Sequence, residues 1–229
     1  MKRLLTITTA IVAGALWFAP TAYAGPLCTN TVTVGSGGSV TTQSLLVAGA
    51  CVAAGDKIFG DFAVGGAAPA TGSASFTFLD PFGSVTLGFS GSFPQASVGT
   101  LHYSVGVSAA GLAAGWLITS LQKDFTVNAS PNTSGAASAE LIGTTNPLTS
   151  PAVAIDCIRT ANPSGGSCPQ VALFAGVDSL TIDEQLTTAA NSVVTALSDT
   201  IGQSQVPEPL SLAVLGVGLL GLGAVRRRV

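Results

Sequence analysis

The sequence contains very little charge and few side chains that carry out catalysis. Only 8% of its 229 residues are charged, and it has a single histidine, which excludes a metal site built from several histidines. The glycine-rich stretch "GSGGSV" at residues 35–40 lacks the Gly-Lys-Ser/Thr ending of a phosphate-binding loop, so a flexible loop is expected there. The sequence "GFSGS" around Ser90 departs from a G-x-S-x-G nucleophile motif at its last position. These absences predict a non-enzymatic protein.

The N-terminus has the order of parts found in secretory signal peptides. Lys2 and Arg3 precede an apolar stretch at residues 4–18, and the small residues Ala22 and Ala24 follow it. This order predicts a signal peptide over residues 1–24 that signal peptidase removes after Ala24. The chain is therefore expected to be exported.

The C-terminus contains a second segment with three parts. Residues 210–225 carry no charge, and a helix of that length covers about 24 Å of a ~30 Å hydrocarbon core, so a single transmembrane helix is predicted. The basic cluster that follows stays on the cytoplasmic side. The prolines before the helix interrupt it and leave an extended peptide beside the membrane. The residues of this predicted sorting segment are Val206, Pro207, Glu208, Pro209, Arg226, Arg227 and Arg228.

These three parts, in this order at the C-terminus, resemble the PEP-CTERM sorting signal of bacterial exported proteins. The resemblance implies processing by an exosortase, a membrane-embedded cysteine protease or transpeptidase. The chain is then expected to be anchored transiently in the membrane and to end at the cell surface or outside the cell. The stretches "GACVAAGDKIFGDFAV" (residues 49–64) and "SLTIDEQ" (residues 179–185) are similar to parts of PEP-CTERM proteins with a sandwich-like body of unknown activity. The resemblance also implies sugars on Ser/Thr-rich loops such as "NASPNTSG".

The segment between the two ends, residues 25–205, is acidic. It contains three strong bases and ten acids, a net charge of −7. Phosphate backbones would repel such a surface, so nucleic acid is not an expected partner.

The composition and the alternation of this body predict strands. It is rich in Gly, Ala, Ser, Thr and Val, and apolar residues alternate with small polar ones in "ASFTFLD", "GSVTLGFSG" and "TLHYSVGVS". Further strands are predicted in "WLITSLQKDFTVN" and "PAVAIDCIRT", and the segment 184–201 is assigned to a hairpin in preference to a helix. Together these patterns predict an all-β, antiparallel β-sandwich in a single domain. The predicted inward residues are Phe76, Phe78, Val85, Leu87, Phe89, Leu101, Tyr103, Val105 and Val107.

Four cysteines in an exported chain predict two disulfides. They are Cys28, Cys51, Cys157 and Cys168, and all three pairings stay open, although the two sequence-local pairs are natural candidates. A metal-thiolate site is the competing interpretation, and it is disfavoured because the sequence has no C-x-x-C pair.

Calcium is the only cofactor that the sequence leaves open. Asp56 and Asp61 flank "KIFG", and Asp178, Asp183 and Glu184 lie close together in the sequence. Calcium binds such oxygen-rich groups, but no D-x-D-x-D-G loop is present, and solvated carboxylates in turns are the favoured interpretation.

Three hypotheses for function follow. The leading one is an exported, non-enzymatic surface or extracellular-matrix protein associated with exopolysaccharide or biofilm. The alternative is a carbohydrate- or ice-binding module that presents Ser, Thr and aromatics such as Trp116 and Tyr103 on a flat sheet. The third is a hydrolase that uses His102, which the strand alternation places on the solvated side with Ser104 and Gly106.

Overall fold

The computed structural model describes residues 26–68, 71–80, 82–129, 137–147, 153–161, 170–190 and 192–205. The predicted signal peptide and sorting segment lie outside these ranges. The described residues form two short helices, α1 (Thr42–Leu45) and α2 (Ala109–Ala113). The strands are β1 (Asn30–Val34), β2 (Gly38–Thr41), β3 (Ala50–Ala54), β4 (Lys57–Gly66), β5 (Ser73–Phe78), β6 (Val85–Phe93), β7 (Val98–Val107), β8 (Trp116–Ala129), β9 (Ala137–Pro147), β10 (Val153–Ala161), β11 (Gln170–Val177), β12 (Ser179–Thr188) and β13 (Ser192–Gln205).

The strands form two sheets that pack as a sandwich. Sheet A has the order β1-β3-β4-β7-β12-β9-β10, and sheet B has the order β11-β8-β13-β6-β5-β2. The prediction of an all-β sandwich is confirmed. The pairing is not purely antiparallel, however, because β1 runs parallel to β3, with Asn30 opposite Ala50. The intervening segment, which contains β2 and α1, carries the chain to sheet B and back, so β1 and β3 enter sheet A in the same direction.

The core lies between the sheets and is built by the alternation seen in the sequence. Every predicted inward residue of β5, β6 and β7 is buried except Phe78, which is partly exposed. Phe59, on β4, packs edge-on against Phe76 with ring centroids 5.2 Å apart. Tyr103 stacks on Phe62 of the same sheet at 5.7 Å, while the Phe59–Phe76 contact joins rings of sheet A and sheet B.

The segment 184–201 is extended, but the predicted hairpin is wrong. β12 pairs with β7 and β9 in sheet A, whereas β13 pairs with β6 and β8 in sheet B. Each strand has a buried apolar row and two hydrogen-bonded neighbours of its own. The two rows therefore face each other across the core, and the connection crosses from one sheet to the other.

The stretch predicted as a flexible glycine-rich loop is mostly ordered strand and turn. A tight turn follows β1, with Gly37 at a φ of 77°, and β2 begins at Gly38. The backbone N–H of Gly38 donates to Gly35 O at 2.8 Å and closes this turn. Glycine is favoured at the positive φ because it has no Cβ.

Candidate functional site

Four polar side chains meet in the interior of the sandwich, and we call Tyr103, Lys123, Glu184 and Asp199 the buried charge cluster. Lys123 Nζ donates to Asp199 Oδ1 at 3.2 Å and to Glu184 Oε1, and the hydroxyl of Tyr103 donates to Asp199 Oδ2. Lys123, Asp199 and Tyr103 have no exposed surface, and Glu184 is 3% exposed. Glu184 Oε2 is buried without a hydrogen-bond partner.

Strand alternation places all four groups inward. Lys123 on β8 and Asp199 on β13 are direct register partners in sheet B. Glu184 and Tyr103 reach the same point from β12 and β7 in sheet A. The sequence contained a signal for this cluster, because each charged residue stands between two apolar residues of an alternating row. The flanking pairs are Leu121 and Phe125, Ile182 and Leu186, and Leu197 and Ile201.

Burial and mutual proximity change the protonation of the buried charge cluster. Burial raises the pKa of Glu184 to about 8, and Asp199 adds to the rise while Lys123 opposes it. Burial alone lowers the pKa of Lys123, but Asp199 and Glu184 outweigh it and hold the pKa above its ordinary value. Burial, Asp199 and Glu184 raise the pKa of Tyr103 well above its usual range. The cluster therefore holds an ammonium, a phenol and a proton on Glu184 at neutral pH.

A second polar group closes one end of the sandwich. Lys57 Nζ donates to Asp56 Oδ1 at 3.0 Å and to Gly83 O at 2.8 Å, and Gln203 Nε2 donates to Asp56 Oδ2 at 2.9 Å. Burial lowers the pKa of Lys57, with Asp56 opposing the change. The buried lysine and carboxylate therefore neutralise each other's charge, and the hydrogen bond from Gln203 connects the start of β4 to the end of β13.

The acids considered for calcium do not converge. Asp183 points outward and Glu184 inward, because neighbouring strand residues face opposite sides. Asp56 is buried against Lys57, so it is not a solvated turn carboxylate, and Asp178 accepts from Ser179 Oγ at 3.2 Å. Within the ranges that the structure describes, no group of three His, Cys, Asp or Glu side chains could hold a metal ion.

His102 lies on the outer face of sheet A. Its Nδ1 is 2.5 Å from Asp183 Oδ1, and the side chains are 39% and 59% exposed, which confirms the predicted solvated position. Ser90 projects from the outer face of sheet B, where its hydroxyl lies 2.6 Å from Ser73 Oγ. His102 and Ser90 therefore lie on opposite sides of the sandwich and cannot form a triad.

The outer face of sheet B carries rows of small hydroxyl side chains, and we call it the hydroxyl face. Thr86 Oγ1 and Thr200 Oγ1 are 2.8 Å apart on neighbouring strands. The next row places Gly88 between Ser75 and Ser198, and the small Gly88 leaves a depression of about 180 Å³ beside Asp124. The hydroxyl face comprises Ser73, Ser75, Thr77, Thr86, Ser90, Ser198 and Thr200.

The aromatics suggested for a binding face lie elsewhere. Tyr103 has no exposed surface and belongs to the core, so its predicted role in binding is wrong. Trp116 is partly buried and stacks on Phe82 with centroids 6.1 Å apart. Tyr103 is buried because strand alternation puts it in the same inward row as Leu101 and Val105.

One of the predicted disulfides is present. Cys28 and Cys51 are bonded, with Cα atoms 5.6 Å apart, and connect the segment before β1 to β3. Cys157 lies on β10, and Cys168 lies outside the described residues, so their pairing stays a prediction.

The fold defines a class: an all-β sandwich body whose last described strand ends at Gln205, followed by the predicted sorting segment. A family model matches this C-terminal segment. Residues 205–228 match the PEP-CTERM protein-sorting motif, so the chain carries this motif. The motif implies that the protein is exported and processed by an exosortase. The sorting residues 206–209 and 226–228 themselves lie outside the described residues, and no helix among the described ones is long and apolar enough to cross a membrane.

Among solved structures, a match is TmCBM61 in complex with beta-1,4-galactotriose, at 9% identity and a TM-score of 0.32, covering 64% of this chain and 89% of the other. The search of curated proteins found no match.

Proposed function

We propose that the protein is a non-enzymatic component of the cell surface or extracellular matrix, delivered through its PEP-CTERM motif and associated with exopolysaccharide. The observation that carries the proposal is the position of the motif, which starts at residue 205, where β13 ends. The sandwich is then the cargo, and cleavage between Val206 and Pro209 leaves its described strands complete.

The chemistry of the described side chains supports a non-catalytic role. The buried charge cluster and the Lys57–Asp56 pair are inaccessible to a substrate from solution. The His102–Asp183 pair is accessible, but Ser90 lies on the opposite face of the sandwich. A nucleophile needs a base within hydrogen-bonding distance, and His102 is not within that distance of Ser90.

Mass spectrometry of the mature protein from its native host tests the sorting. We expect a product that begins near Gly25 and ends between Val206 and Pro209 in cells with the exosortase, because the enzyme removes the segment after the prolines. Cells without the exosortase should retain Arg228 and hold the protein in the membrane fraction. An identical C-terminus in both strains would contradict the proposal.

The hydroxyl face favours a more specific candidate function, the binding of a neutral polysaccharide or of ice. Its rows are regularly spaced because register fixes Thr77, Thr86 and Thr200 side by side on three strands. Hydroxyl groups can donate and accept, which suits a surface covered with hydroxyls or with ordered water. The depression at Gly88 makes this face locally concave, so a ligand bound there would be partly shielded from water.

Blocking the depression tests this candidate. We expect Ser198→Tyr to weaken binding to the host exopolysaccharide by about tenfold or more, because a large ring covers Gly88. Thr181→Tyr is the matched control, since Thr181 is also partly buried and points outward from a central strand, but in sheet A. Binding is measured by sedimentation with the purified polysaccharide, alongside an ice-recrystallisation assay. Equal effects of the two variants, or no binding by the parent protein in either assay, would exclude the hydroxyl face as the site.

A further inference from the structure

The buried charge cluster brings one amine and two carboxyl groups together where solvent does not reach. Lys123 Nζ contacts both Asp199 and Glu184, and these three side chains are at most 3% exposed. From this geometry we propose that the chain cross-links itself: Lys123 Nζ condenses with Cγ of Asp199 to form an intramolecular amide, Glu184 moves the protons, and one water leaves. This inference goes beyond the proposed function and does not depend on it.

The hydrogen bonds select Asp199 as the carboxyl group that is attacked. Its Oδ1 faces the ammonium of Lys123 at 3.2 Å, and its Oδ2 accepts from the hydroxyl of Tyr103. These two donors around one carboxyl group withdraw electron density from its carbon and stabilise the oxyanion that forms on attack.

Glu184 is placed to carry protons between the two reacting groups. It contacts Lys123 Nζ through Oε1, and its raised pKa of about 8 keeps it protonated at neutral pH. Its Oε2 has no partner in the protein. A carboxyl group that can both donate and accept near neutral pH is an effective general acid and base.

The step balances without any further reactant. Glu184 gives its proton to Asp199 and takes one from the Lys123 ammonium, and the free amine then attacks Cγ to form the C–N bond. Glu184 next protonates the hydroxyl oxygen on Cγ, the C–O bond breaks, and water leaves. Glu184 finally recovers a proton from the nitrogen, so one ammonium and one carboxylate have become one amide and one water.

The surroundings favour the reaction and protect its product. Strand register holds Lys123 opposite Asp199, and the 3.2 Å contact from Nζ to Oδ1 keeps the amine beside the carboxyl group that it would attack. Tyr103 is packed against Phe59, Phe62 and Phe89, with ring centroids 5.7 to 6.4 Å away. These rings exclude water, which would otherwise favour hydrolysis of the amide.

The intact mass of the mature, disulfide-bonded protein tests the cross-link. We expect a mass lower by one water than the sequence and its disulfides predict. Proteolysis should release a branched peptide that joins the segment around Lys123 to the segment around Asp199. An undiminished mass, or a branch from Lys123 to Glu184, would overturn the assignment.

Variants separate the roles of the three residues. Glu184→Gln should show the full, undiminished mass because the proton shuttle is lost. Asp199→Asn should yield the same branched peptide, now by loss of ammonia, so it tests the chemistry even if Glu184→Gln fails to fold. Lys57→Arg is the matched control, because Lys57 is an equally buried lysine paired with a carboxylate, and it should keep the cross-link. A branched peptide in folded Glu184→Gln at the parental level would exclude the shuttle role.

Discussion

Replacing Lys123 with Met should destabilise the sandwich by at least roughly 3–5 kcal/mol, since it removes the cation that pairs with the buried carboxyl groups and also the amine needed for the cross-link. The Asp199 carboxylate would then lack a counter-charge in an interior that shields charge poorly. Lys123 also holds sheet A and sheet B together at this point, because its two acceptors lie on β12 and β13. Denaturant unfolding followed by circular dichroism measures the loss.

A neutral version of the cluster provides the control. Lys123→Met combined with Glu184→Met and Asp199→Asn should recover most of the lost stability, because no uncompensated charge stays buried and Tyr103 retains an acceptor. Neither variant can form the Lys123–Asp199 amide, so their difference reports the buried charge alone. Equal stability of the two would show that the ion pairs contribute little to the folded state.

The sequence was sufficient to predict the strands of the core, because the alternation of residues such as Val85, Leu87 and Phe89 fixes both the period and the buried face. It was insufficient to place β12 and β13, since alternation identifies an inward face but not the sheet to which a strand belongs. The hydroxyl face could not be predicted for the same reason, because its rows form only when the register aligns β5, β6 and β13.

The buried charge cluster was missed for a different reason. Lys123, Glu184 and Asp199 were counted as surface charge, as charged residues usually are. Their positions within apolar rows predict that the side chains face inward. The pattern of a single strand cannot show that three such side chains, from two sheets, contact one another. The cluster depends on the sandwich bringing β8, β12 and β13 together, which is information that the packing supplies.

Removing the Cys28–Cys51 disulfide should lower the free energy of unfolding by about 3 kcal/mol, because the bond restricts the unfolded chain across a separation of 23 residues. For a body of this size that corresponds to a fall in Tm of roughly 6–12 °C. The Cys28→Ala/Cys51→Ala variant, compared with the parent protein by calorimetry, measures the effect.

The structural consequence should be greatest at β1, which among the described strands lies at the edge of sheet A and pairs with β3 alone. Its residues are largely exposed, so few apolar contacts hold it once the disulfide is absent. The parallel pairing with β3 and the backbone hydrogen bonds from Thr29 and Asn30 to Gly49 O, at 3.0 and 3.1 Å, would then hold it. Hydrogen exchange at β8 and β13 should rise only by the loss of global stability, whereas β1 amides should also gain exchange through local opening. Exchange at β1 that rises by no more than at β8 and β13 would mean that strand pairing alone fixes β1, and the loss of stability would then come from the unfolded chain.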